Sequence, residues 1–177
     1  MGRIRLARMP EPFEIRRAHP DDAAAIAVAH RDSIRAIGPR FYPPELVEDW
    51  GAGVTAQLYV RAMEGGEVFF IAVGRVDGEL AVLGFSSHYV HDAEHGISVY
   101  VRGGNARRGI GTALLRLAEA HALEHGATSI EIQASLAGVA FYAANGFAEI
   151  GRTEVTLSSG GRIPCVFMRK PLDASAE

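Results

Sequence analysis

Apolar and polar positions alternate over Phe13–Ala18, "FEIRRA", the period of a strand with one buried face. The period then lengthens. From His19 to Pro39, Ile26, Ala29, Ile34 and Ile37 form a helical stripe, with Pro20, Asp21 and Asp22 as a start signal and Gly38–Pro39 as a stop. "PPELVEDWG", Pro43–Gly51, predicts a second, shorter helix opened by proline. Val68–Val90 predicts two strands around the turn "VDGE", and Gly96–Val101, "GISVYV", another. The most regular element follows. Ile110, Ala113, Leu114, Leu117, Ala118 and Ala122 recur at i, i+3, i+4, i+7, i+8 and i+12, and Gly126 stands where a C-terminal cap glycine belongs. Beyond it come a strand at Ser129–Ala134, a short helix at Ala137–Gly146, and strands at Phe147–Leu157 and Arg162–Lys170 joined by "SSGG". The expected order is β-α-α-β-β-β-α-β-α-β-β, a mixed α/β domain with one central sheet.

A chain of 177 residues, 48% hydrophobic and 22% charged, fits one domain over 1–177, with 1–12 and 173–177 expected as loose ends. A formal net charge of −3 argues against nucleic acid or an anionic membrane as the main partner. No stretch approaches the ~20 apolar residues of a membrane helix. One cysteine, Cys165, cannot make an internal disulfide, so a cytoplasmic location is expected and Cys165 reads as packing. With a single cysteine there is no Cys-x-x-Cys spacing, and no metal site is expected.

The positive charge that matters is local. "YVRGGNARRGIGTALL", Tyr100–Leu115, crowds Gly103, Gly104, Gly109 and Gly111 and the arginines Arg102, Arg107 and Arg108 between a strand and the long helix. Glycines let a ligand approach the main chain, the first helical amides lack intrahelical partners, and guanidinium groups fork onto phosphate oxygens. Together they predict an anion site suited to a pyrophosphate. A Walker A loop would need lysine and a hydroxyl residue where Ile110 and Gly111 stand. A dinucleotide fingerprint would need a third glycine where Leu114 stands. Neither fits.

"RRGIGTALL" after a strand, followed downstream by "FYAANGF", resembles the GNAT superfamily of acyl-CoA-dependent N-acyltransferases. The family signature, Gln/Arg-x-x-Gly-x-Gly/Ala, falls on Ala106–Gly111, with both glycines matched and Ala106 in the first position. In the second segment Phe141, Tyr142, Gly146 and Phe147 match, while Ser135 stands for an asparagine and Gly138 for an alanine. The resemblance implies the GNAT fold, a mostly antiparallel twisted sheet with helices on both faces. It also implies direct transfer of an acetyl group from acetyl-CoA to an amine. Ala106, Arg107, Arg108, Gly109, Ile110, Gly111 and Thr112 would hold the pyrophosphate and Ser135 the pantetheine arm. A main-chain amide among Val99, Tyr100 and Val101 would face the carbonyl oxygen.

For the proton returned to the leaving thiolate, the expected donor is Tyr142. A phenol near 10 and a thiol near 8.5 make that transfer uphill by about 1.5 units, roughly 2 kcal/mol. For the base that takes the amine's proton, the resemblance implies a position on the strand before the loop, where many family members carry a carboxylate; counting back places it at His95, with Glu94 and His91 as neighbouring alternatives. The acceptor is expected to be a small-molecule amine bearing a carboxylate or ring, shaped by Arg35, Arg40, Phe41, Tyr42, Trp50 and Tyr89. The resemblance leaves two further possibilities, a homodimer built on the final strands and a non-catalytic acyl-CoA sensor.

Overall fold

A computed structural model describes residues 12–172; the loose ends expected at 1–12 and 173–177 lie, but for Pro12, outside the described residues. Among the described residues seven strands form one sheet in the order β1-β2-β3-β4-β5-β7-β6. They are β1 (Glu14–Arg17), β2 (Val68–Val76), β3 (Glu79–His91), β4 (Glu94–Val101), β5 (Ser129–Ser135), β6 (Ala148–Thr156) and β7 (Arg162–Pro171). Five α-helices among the described residues flank it: α1 (Ala23–Ile37), α2 (Pro44–Ala52), α3 (Ala56–Glu64), α4 (Ile110–Glu124) and α5 (Val139–Ala144). Side chains of α1, α2 and α3 pack with Phe69, Ile71 and Phe85 on one face, and α4 covers the other through Leu114, Leu115 and Ala118. No helix among the described residues is long and apolar enough to cross a membrane.

Two tight turns set the register of the central strands. Asp77 and Gly78 both have positive φ, as do Asp92 and Ala93, the backbone a two-residue hairpin turn needs to match strand twist. The second turn pairs His91 with Glu94, and so Ser87 with Ser98 and Ser86 with Val99. Side chains alternate across a strand, so His88, His95 and Ile97 share one face and Ser87, Ser98 and Tyr100 the other.

α3 is an element beyond the two N-terminal helices expected. Its Thr55 side chain accepts from the Leu58 amide as an N-cap, and its buried Tyr59 reaches His30 of α1 at 2.5 Å. On α4 the buried face keeps Ile110, Leu114, Ala118 and Ala122 but carries Leu115 rather than Leu117, which is 38% exposed. Cys165 is buried, and burial pushes its thiol up to about 11, which leaves it an inert packing group.

A cleft where two parallel strands part

β4 and β5 are the one parallel pair in the sheet, and they meet only at Gly96 and Glu131. Every other neighbouring pair is antiparallel and paired along several residues. Past Gly96 the two strands diverge, and the gap becomes a cavity of about 540 Å3, within the range of small-ligand sites. Its walls come from both sides of the sheet: Gly109, Gly111 and Thr112 at the start of α4, and Ile37, Trp50 and Tyr89 on the side of α1 and α2.

The α4 end leaves main-chain amides open. Gly109 precedes α4 with φ of 79°, a left-handed conformation that a side chain would strain. Arg107 is left-handed as well, at φ 62°. Gly109 offers no side-chain cap, so the opening amides of α4 are not closed off as those of α3 are by Thr55. The loop is tied to α1, since the Gly103 amide donates to the Asp32 carboxylate at 2.9 Å. A Cβ on Gly103 would lie 2.2 Å from the Ala36 methyl, so only glycine allows this approach.

At the other end of the gap stands Tyr142, on α5. Its ring is buried, and the Val99 amide donates to its phenolic oxygen at 3.0 Å. That amide is free to do so because β4 and β5 no longer pair there. Groups on a strand alternate sides, so the Val101 amide points the same way as that of Val99. Burial raises the Tyr142 phenol above its ordinary value, nearby Tyr100 adds to the rise, and the Val99 hydrogen bond opposes it. A phenol so placed stays protonated across the physiological range.

Of the residues expected from sequence, Val99, Tyr100, Val101, Ala106, Arg107 and Gly109 line the cleft, as do Gly111, Thr112, Ser135 and Tyr142. Arg108 is not among its lining residues, and the Ile110 side chain turns inward to Leu114 and Leu83. His95 is not brought to the cleft either. Its Nδ1 lies 2.9 Å from His88 Nε2, and His88 Nδ1 lies 2.8 Å from Nδ1 of His121 on α4. The ring of His125 stacks on His121 at 4.1 Å. His95 thus belongs to an imidazole chain under α4, on the face away from Ser98 and Tyr100. Among the described residues no group of histidine, cysteine or acidic side chains is placed to hold a metal ion.

The acceptor side departs from expectation. Trp50 and Tyr89 line the cleft, but Arg35, Arg40 and Phe41 are solvent-exposed and stand outside it. Tyr42 is buried in a stitching role, donating to Pro164 O at 2.7 Å and accepting from the Leu136 amide at 2.8 Å. This half is therefore aromatic rather than cationic. Sequence reading overlooked Ser98, which lines the cleft, and the contact between Tyr89 and Gly96. The Tyr89 ring lies across Gly96, where a Cβ would meet it at 2.2 Å. The glycine opposite an aromatic residue in a hairpin of known register was the available signal.

The family model described as the acetyltransferase (GNAT) family matches residues 31–147. No curated protein matches the chain significantly. Among solved structures, a GCN5-related N-acetyltransferase from Rhodopseudomonas palustris is 25% identical, with a TM-score of 0.77 over 94% of this chain and 100% of that one. A PaiA N-acetyltransferase from Thermoplasma acidophilum, in complex with coenzyme A, has a TM-score of 0.70 at 18% identity, covering 91% and 99%. A phosphinothricin acetyltransferase from Sinorhizobium meliloti, in complex with acetyl-CoA, has a TM-score of 0.63 at 21% identity, covering 93% and 90%.

Proposed function

Because the chain belongs to the acetyltransferase (GNAT) family, and is thereby an acyltransferase, we propose that it moves an acetyl group from acetyl-CoA directly to the primary amine of a small molecule. One observation carries this reading. A single cleft runs from the uncapped start of α4 to a buried phenol hydrogen-bonded to a main-chain amide. Acetyl-CoA, when bound, supplies the acetyl group as an activated thioester. The residues fit such a donor: the left-handed Gly109 exposes amides to a diphosphate, Arg107 adds charge, and Ser135 lines the path to Tyr142.

The chain's own groups divide the work. The Val101 amide faces the gap, where it stabilises charge as it develops on a carbonyl oxygen, while the Val99 amide holds the Tyr142 hydroxyl. Tyr142 holds its proton ready for the departing sulfur. Its raised affinity for that proton does not widen the gap between donor and acceptor, because the same dry cleft makes a thiolate more basic too. Trp50, Tyr89 and Ile37 offer an apolar and aromatic wall, which favours an acceptor with a ring or alkyl body over a carboxylate.

Calorimetry with acetyl-CoA followed by thiol release over a panel of aromatic and aliphatic primary amines tests the reading. Binding together with amine-dependent thiol release is the expected result. Tight binding with no release across the panel overturns catalysis in favour of an acyl-CoA sensor.

A further inference from the structure

The transfer just proposed needs a group that takes a proton from the incoming ammonium, and His95 lies on the wrong face of β4. The other face supplies a path. Ser98 lines the cleft beside Tyr89 and Tyr100, and its Oγ is 2.7 Å from Ser87 Oγ on β3. The two serines face each other because the hairpin register pairs them. Ser87, fully buried, is paired with Phe69 of β2, and the same register sets Glu67, two residues earlier, on the same sheet face beside Ser87, whose hydroxyl favours the charged form of its carboxylate. We propose that Ser98, Ser87 and Glu67 form the proton path that deprotonates the acceptor amine, an inference that rests on the transferase reading.

The chemistry balances. The ammonium N–H passes its proton to Ser98 Oγ while the Ser98 proton moves to Ser87 Oγ. The Ser87 proton moves to the Glu67 carboxylate. The amine gains a lone pair, both serines end as neutral hydroxyls, and Glu67 ends as a carboxylic acid that later returns its proton to water. Ser98 touches the amine; Ser87 and Glu67 act through it. Burial raises the Glu67 carboxyl above its ordinary value, against the opposing pull of Ser87, which makes it a stronger base than an exposed glutamate. The titratable groups facing Glu67 are Tyr89 of β3 and Tyr59 of α3, both phenols held neutral by burial. The cleft itself presents no acidic side chain. Glu67 therefore answers the ammonium's charge from behind the serines.

The test compares wild type with Glu67→Gln, Ser98→Ala and Ser98→Thr over pH 6 to 10. Under the relay, kcat/KM for the best amine of the panel falls about a hundredfold at pH 7 in Glu67→Gln and Ser98→Ala. Ser98→Thr, which keeps the hydroxyl, recovers most of that loss. The deficit closes as pH nears the amine's own pKa, about 10.4, while acetyl-CoA affinity stays within about twofold, as for a group outside its contacts. Carbon-13 NMR of the ligand-free protein adds a readout independent of turnover: the Glu67 carboxyl titration moves in Ser98→Ala. Wild-type pH profiles in Glu67→Gln and Ser98→Ala, or an unmoved Glu67 titration, overturn the relay and leave the transferase reading intact. Wild-type protein that binds acetyl-CoA but acetylates no amine sinks that reading, and the relay with it. Should Glu67→Gln fail to fold, Ser98→Ala alone decides, since it removes only a cleft-lining hydroxyl.

Discussion

The Val99 amide and the Tyr142 phenol are joined by a 3.0 Å hydrogen bond across the gap that opens between β4 and β5. The contact fixes the buried phenol at the point where the two strands part. Tyr142 accepts there, so its own proton remains available. Tyr142→Phe keeps the buried ring but removes the hydroxyl and strands the amide. The expected result is a kcat lower by about a hundredfold with little change in acetyl-CoA affinity. Stability should fall by about 1–3 kcal/mol, the penalty of an unpaired buried amide. Steady-state kinetics beside calorimetry checks this, and an unchanged kcat removes Tyr142 from the chemistry.

Gly109 tests the cradle without touching its charge. A Cβ there would meet open space, so any loss on substitution comes from the left-handed backbone and not from a clash. Gly109→Ala should cost about 1–2 kcal/mol of conformational strain. Acetyl-CoA affinity should fall by about tenfold as the loop relaxes away from the α4 amides, equivalent to about 1.4 kcal/mol. Gly104→Ala, also in open space and without positive φ, is the matched control and should bind as wild type does. Equal affinities for all three proteins, measured by calorimetry, count against the cradle.

How much of this was legible depends on the kind of signal. The glycine-arginine loop and α4 are local features, and their residues carried both the helix and the uncapped amides that open it. The FY pair placed Tyr142 for the same reason. His95 was misplaced because counting along β4 gives a distance but not a face. The face is decided by the two-residue turn at Asp92 and Ala93, which sets His95 beside His88 and Ser98 beside Ser87. The partners that define each, His121 on α4 and Glu67 ahead of β2, are remote in sequence. α3 was legible yet unread: Thr55 caps it, and Ala56, Tyr59, Val60 and Met63 recur at helical spacing. The cationic acceptor wall failed because α1 turns Arg35 to solvent, which composition cannot show.

Gly103 and Ala36 supply a reciprocal test of how the loop is held. With a Cβ at 2.2 Å from the Ala36 methyl, Gly103→Ala must push the loop from α1 and break the bond to Asp32. Loss of about 1–3 kcal/mol of stability, as in overpacking, is expected, together with weaker acetyl-CoA binding. Ala36→Gly removes the blocking methyl from an exposed part of α1, at a helix cost of about 1 kcal/mol. The double variant should therefore bind acetyl-CoA better than Gly103→Ala alone. Additive losses of affinity would show that the contact does not position the loop.

Acid should loosen the α1–α3 face through His30. The ring is buried among Trp50, Tyr59, Phe85 and Tyr100, with Nδ1 on the Tyr59 hydroxyl at 2.5 Å and no partner for Nε2 among the described residues. Burial first, and Arg31 second, lower its pKa from 6.5 to about 3. The folded value lies below the unfolded one, so the unfolded chain binds the proton first. The stability this provides is whole above pH 6.5 and drains away as pH falls toward 3, by up to about 1.4 kcal/mol per pH unit. His88, lowered to about 4 by burial and then by His121, His95 and His125, acts in the same direction. Melting temperature should thus decline between pH 6.5 and 4.5. His30→Gln, which cannot gain the proton, should start lower at pH 7.5 and decline less steeply. Parallel curves for the two proteins would mean that His30 is protonated as readily folded as unfolded, and the burial argument would fail.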